Sequence, residues 1–326
     1  MASKSDLARL VKARGRAVRR GSIGIVLTLI AVGCSKREAA PSSEPQERPA
    51  PLVYTVNYPL AYFAKRLAPE GSEVVFPAPP GVDPAFWKPS PDVIRQYQNA
   101  DLILLNGAGY AHWTRYATLP KARTVVTAAG CRDTFLPSGD AVKHQHGPDG
   151  EHAHGDTAFT TWLDMRLALC QAEHIRDAFI ELAPTPKDAI NQQFAALERD
   201  LVQLDTRLRA AAKAWGDQPM LASHPVYQYL ADAYGLRIES LHFEPDQALG
   251  PEAIQALDSL VARHPAKLML WEAQPLPETE QLLRDRGIAT VVFDPASLPP
   301  NEGDFLTMMT DNASRFACAT GTGACP

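Results

Sequence analysis

The chain has 326 residues, with 32 Lys+Arg against 37 Asp+Glu and 45% hydrophobic residues. A formal net charge of −5 excludes the basic footprint of a nucleic-acid binder. The length exceeds what one small core needs and suits two lobes or domains.

The chain opens on a basic run (Lys4, Arg9, Lys12, Arg14, Arg16, Arg19, Arg20) that leads into an apolar stretch, 23–32, ending at Ala31-Val32-Gly33-Cys34. A positive region, a short apolar core and small residues before a cut read as a secretory signal over residues 1–33. The apolar stretch is shorter than the ~20 residues that a bilayer-spanning helix needs. Cys34 directly after Gly33 resembles a bacterial lipoprotein signal, in which the cysteine is lipidated and becomes the mature N-terminus. An ordinary cleaved signal or an uncleaved anchor is the plainer alternative. Without residues 1–33 the chain carries 25 Lys+Arg and 36 Asp+Glu, a net charge near −11. The expected location is periplasmic or on the cell-surface side, anchored to the membrane through Cys34. Cys131, Cys170, Cys318 and Cys325 make an even set, as an oxidising compartment allows. A local Cys318–Cys325 bridge is open at this stage, and nothing in the sequence decides whether Cys131 pairs with Cys170.

Residues 34–51 are polar and rich in Pro, Ser and Glu, the composition of a flexible tether. Strands are predicted at 52–56, 73–76 and 102–106, with helices over 61–67 and 92–98, an alternation that argues for a parallel α/β sheet. Residues 143–156 form a low-complexity tract carrying His144, His146, His152 and His154 together with Asp149, Glu151 and Asp156. Individually these histidines read as solvated residues; together they form a loose metal-collecting tract. A helix follows over 164–182. The strongest helix covers 186–215, with Thr185 as candidate cap and Ile190, Phe194, Leu197, Leu201, Leu204 and Leu208 on one face. At 1.5 Å per residue it is ~40 Å long. Beyond it, strands at 220–223, 268–271 and 291–293 alternate with helices at 227–234, 252–263 and 278–285. The expected fold class is α/β, two α/β lobes with parallel sheets joined by a single long helix. The corresponding boundaries are 52–184 for the first lobe, 185–215 for the linking helix and 216–326 for the second lobe.

Several short motifs occur in a telling order. They are Tyr58-Pro59-Leu60, Gly81-Val82-Asp83-Pro84 with Pro89-Ser90-Pro91, the run 100–109, the His-rich tract and Trp162-Leu163-Asp164. The second half adds Ser223-His224-Pro225, Tyr234-Gly235-Leu236, Glu272-Ala273-Gln274-Pro275 and Phe293-Asp294-Pro295. In this order, from about Val53 to Cys318, the chain resembles the zinc/manganese-type solute-binding proteins of bacterial ABC importers. The resemblance implies a rigid two-lobed monomer that holds a metal between its lobes and hands it to an ABC permease in the membrane. It also implies three histidines and one carboxylate from four loops. Here the chain departs from the pattern: Ala85 stands where the first histidine is expected and Thr160 where the second is. Neither a methyl group nor a hydroxyl replaces an imidazole on Zn²⁺.

His224 and Asp294 occupy the remaining matching positions, and Glu272 ends an apolar strand, where α/β folds place binding groups. Each has a plainer alternative: a structural remnant for His224, turn chemistry for Asp294 before Pro295. His112, His174, His242 and His264 show no ligand spacing and read as surface or capping residues; Phe86, Trp87 and Trp162 read as core packing, with rings that close a vacant site or shape one for a different ligand as the alternative. The functional expectation is an extracytoplasmic protein capturing Zn²⁺, Mn²⁺ or another divalent metal for an ABC importer. The alternative is a binding or regulatory lipoprotein of the same fold with a degenerate metal site. No nucleophile–base motif, phosphate-cradling loop or HExxH signature points to an enzyme.

Overall fold

β1 (Leu52–Thr55), α1 (Tyr58–Leu67), β2 (Glu73–Val75), α2 (Pro91–Asn99), β3 (Leu102–Leu105) and β4 (Thr124–Val126) build the first lobe. Its sheet runs in the order β2-β1-β3-β4, and every pairing is parallel. In the computed structural model the described residues are 50–138, 143–145, 151–153, 157–321 and 323, all within one compact unit. The signal segment, Cys34, most of the tether, His146, His154 and Cys325 lie outside them, as do the side chains of His144 and His152.

The helix starts follow from local chemistry. The Asn57 side chain accepts from the Leu60 amide to cap α1, and Ser90 caps α2, each followed by a proline in the first turn. Low complexity predicts no ladder in the His-rich tract. The described backbone nevertheless pairs β5 (Lys143–Gln145) with β6 (Glu151–Ala153) antiparallel, with His144 opposite His152.

α3 (Met165–Leu182) starts at an Asp164 cap and packs on α4 (Lys187–Trp215), one unbroken helix of 29 residues. Ile190, Phe194, Leu197, Leu201, Leu204 and Leu208 are all buried along it. The helix begins one residue later than predicted, so Thr185 does not cap it. It ends at Gly216, whose φ of 68° suits a residue without a Cβ.

β7 (Pro219–Ala222), α5 (Gln228–Tyr234), β8 (Arg237–Ser240), α6 (Pro251–Arg263), β9 (Leu268–Trp271), α7 (Pro277–Asp285) and β10 (Ala289–Val292) form the second lobe, closed by α8 (Phe305–Ala319). Its sheet order, β8-β7-β9-β10, repeats that of the first lobe strand for strand, and its pairings are likewise parallel. α4 packs against α1 and α3 on one side and α5 and α8 on the other. Phe305 of α8 meets Tyr62 of α1 at a tilt and Phe63 edge-on, so one hydrophobic core runs through both lobes. The two-lobed α/β architecture is therefore as the sequence implied.

Candidate metal centre

In a parallel sheet of order 2-1-3-4 the chain reverses its winding direction between the two central strands, and groups at their C-terminal ends converge there. In the second lobe this point lies between β7 and β9. The residues that follow the strands are His224 after β7, Glu272 after β9 and Glu244 in the loop after β8. His224 is 2% exposed. Its Nδ1 lies 3.4 Å from Glu272 Oε1 and its Nε2 3.4 Å from Glu244 Oε1. Both ring nitrogens therefore face a carboxylate oxygen. One imidazole and two carboxylates are donors that suit a divalent cation. His242 stands beside it, its ring perpendicular to that of His224 at 6.0 Å.

The structure brings together His224 and Glu272, both named from the sequence as candidate ligands, and sets beside them Glu244, which was not; His242, read there as a surface or capping residue, lies next to this group. Asp294, the other predicted ligand, follows β10, two strands from β7, and is not among the residues lining the cleft. Its Oδ1 accepts from the Ala296 amide, and Asn312 brackets its backbone through both the N–H and the C=O. Burial pushes its carboxyl above the ordinary range, partly offset by the Ala296 amide and by Arg315. Asp294 thus does turn work in this structure.

The corresponding point of the first lobe is filled by amides. Asn57 Nδ2, Thr161 Oγ1 and Gln171 Nε2 all donate to Asn106 Oδ1, whose own Nδ2 donates to the Phe159 carbonyl. Such a satisfied buried network fixes the segment 159–162. On it sit Phe159, Thr160 and Trp162, which with Phe86, Trp87 and Tyr110 form the wall facing His224. Positive φ angles at Gly107 (93°) and Gly109 (77°) turn the chain after β3 and bring Tyr110 to that wall. There it meets Phe159 and Trp162 edge-on, at 5.2 and 5.6 Å. The two positions where imidazoles are expected are otherwise engaged. Ala85 is fully buried, and Thr160 Oγ1 donates to the Val226 carbonyl at 2.5 Å. The resulting cleft measures 610 Å³.

His264 takes the C-cap position of α6, as the capping reading allows, whereas His174 lies inside α3. His264 is buried with Nε2 against the Met220 carbonyl, and His174 Nδ1 donates to the Thr127 carbonyl at 2.6 Å. Cys131, Cys170 and His174 cluster within 4.8 Å, but the two sulfurs are bonded to each other and offer no thiolate to a metal. Cys318 is also disulfide-bonded.

A two-lobed α/β scaffold with a cleft between the ends of two parallel sheets is the form of a solute-binding protein. The family model described as "ZnuA: Zinc-uptake complex component A periplasmic" matches residues 53–319, and the chain belongs to that family. That family is one of uptake components rather than enzymes. The zinc-binding lipoprotein AdcA of Streptococcus pneumoniae is 25% identical over 275 residues, 82% of this chain. The chain spans only 54% of AdcA's length. The high-affinity zinc uptake system protein ZnuA of Bacillus subtilis is 24% identical over 230 residues, 68% of this chain and 70% of that protein. The Zn(II)-bound ZnuA-like domain of S. pneumoniae AdcA superposes with a TM-score of 0.69 at 19% identity, covering 84% of this chain and 98% of that domain. The metal-dependent lipoprotein YcdH of B. subtilis gives 0.68 at 21% identity, covering 84% and 99%.

Proposed function

We propose that this protein captures Zn²⁺, or a similar divalent metal such as Mn²⁺, outside the cytoplasm and delivers it to an ABC permease. Membership of a zinc-uptake family supports the cargo and the importer. The observation that carries the reading is His224 set between Glu244 and Glu272 at a sheet's switch point. One imidazole and two carboxylates are three N/O ligands, and water in a fourth position makes an open zinc site. The same donors suit Mn²⁺. Lipid attachment at Cys34 would hold the monomer at the membrane, with 52–184 and 216–326 as lobes and 185–215 between them. His144, His146, His152 and His154 would collect metal at low affinity, as their clustering within residues 143–156 supports.

A second reading, a family member that no longer transports free metal, is favoured by one observation. The Thr160 hydroxyl, at a position where the family pattern has a ligand, is committed to the Val226 carbonyl. Zinc titration of the soluble chain from Ser35 onward separates the two readings, run on the native sequence, on His224→Ala and on a chain lacking 143–156. The metal-capture reading expects one ion lost with His224 and further ions lost with the deletion. Stoichiometry unchanged in both variants, or no binding at all, refutes it.

A further inference from the structure

The cleft is larger than a metal ion needs. A hydrated ion with six waters fills roughly 180 Å³ at liquid packing, against 610 Å³ here. That volume lies in the range of small-molecule sites, roughly 300–1,000 Å³. Its two walls also differ in kind. The second lobe supplies His224, Glu244 and Glu272, whereas the first supplies Thr160 at one of the two expected imidazole positions, with aromatic rings around it. A cation held by the second lobe therefore faces a wall that includes the partly exposed rings of Phe86 and Trp87, which carry no metal donors.

Two further observations narrow what fills that half. Among the described residues the lining includes Asp83, Glu244, Asp246 and Glu272 but no lysine or arginine, so an anionic chelate is disfavoured and a complex keeping its positive charge is favoured. Tyr110 is 5% exposed, and its hydroxyl has no hydrogen-bond partner among the described residues. Burial, and secondarily Asp83, pushes that phenol well above its ordinary value, so it is a neutral O–H. A buried hydroxyl without a partner in a binding cleft is matched by a polar group on a ligand.

We infer that the cleft takes its metal as a complex, chelated by a small neutral heteroaromatic nitrogen ligand that keeps one ring nitrogen free as a hydrogen-bond acceptor. This rests on the metal-capture reading above. The carboxylates and His224 hold the metal, the aromatic wall packs on the flat ring, and the free ring nitrogen accepts from the Tyr110 hydroxyl.

The probe is 2-(2-pyridyl)pyrimidine, titrated by calorimetry and tryptophan fluorescence as Zn²⁺ alone, probe alone and the equimolar complex. The complex is expected to bind at least about tenfold more tightly than either component, since an aromatic contact plus its buried area supplies that factor. Trp87→Ala and Tyr110→Phe should each weaken the complex about tenfold or less while leaving Zn²⁺ alone unchanged. A complex no tighter than Zn²⁺ alone, with zinc still lost in His224→Ala, overturns this inference and leaves metal capture standing. Metal-free probe binding as tightly as the complex also overturns it. Failure of both Zn²⁺ and the complex to bind overturns both.

Discussion

The indole Nε1 of Trp162 donates to the carbonyl of Pro295 at 2.6 Å, joining a fully buried side chain of the first lobe to the turn that leaves the last strand of the second. Nearby, Thr160 Oγ1 reaches the Val226 carbonyl. In a cleft whose ligands come from both walls the metal itself bridges the lobes. Here hydrogen bonds from residues 160 and 162 make that bridge, and α4 packs along both lobes beneath them.

Closure should therefore not depend on metal. Trp162→Phe keeps the apolar bulk but leaves the Pro295 carbonyl without its donor, a cost of about 1–3 kcal/mol. Thr160→Val should cost about 1 kcal/mol by the same reasoning. Urea midpoints measured in chelator-treated protein check both. Losses seen only in zinc-loaded protein would mean that metal, not these bonds, joins the lobes.

The cleft ligands can be ranked by substitution. His224→Ala should remove the high-affinity ion, and Glu244→Gln and Glu272→Gln should each weaken it at least ~10-fold, since outer-sphere changes alone cost 10–100-fold. Asp294→Asn should leave zinc affinity unchanged, because the Asp294 carboxylate caps its own turn two strands away. Competition against a zinc-responsive dye measures all four. If Asp294→Asn behaves like Glu272→Gln, the site is centred closer to β10 than the His224 geometry places it.

Much of this fold is legible in the sequence, because its strands are short unbroken apolar runs and α4 carries a regular buried stripe. The unread parts share a cause. β8 is Arg-Ile-Glu-Ser, half charged, and follows Gly235 closely, so it reads as loop. With that strand unseen, the loop after it could not be recognised as a sheet-end binding loop, and Glu244 and His242 went with it. β4 is only three residues long. α8 buries Asn312 on its inner face beside Phe305, Met309 and Phe316, an interruption that hides the helical stripe. That asparagine has a purpose visible only in three dimensions, since it holds the Asp294 turn through two hydrogen bonds. The ligand expectation at Asp294 came from resemblance, and Asn312, which brackets its backbone, lies 18 residues away in sequence.

The Cys131–Cys170 disulfide spans 39 residues and ties the loop after β4 to α3. The whole His-rich tract lies within the loop it closes. Replacing both cysteines by alanine should destabilise the protein by about 2–4 kcal/mol through the freed entropy of the unfolded chain. The sequence left this pairing undecided because Cα separation, 5.8 Å here, depends on where α3 docks. Thermal unfolding of the double variant, with and without residues 143–156, tests the assignment. No change in Tm would show that the crosslink closes no loop that matters to folding.

Asp294 also makes a prediction about acid. Its carboxyl is held above its unfolded value of 3.8, chiefly by burial. The native state therefore binds this proton more tightly than the unfolded chain does, and stability falls as pH rises from about 3.8 through the folded value. The direction is opposite to that of a salt-bridged carboxylate, whose contribution is lost as pH falls. Asp294→Asn keeps an oxygen for the Ala296 amide and removes the charge. Its Tm relative to the native protein should rise as pH increases across that window and stay level above it. Parallel Tm curves of the two proteins from pH 3 to 8 decide the matter. A variant that loses ground as pH increases would show that Arg315 and the Ala296 amide outweigh burial at this turn.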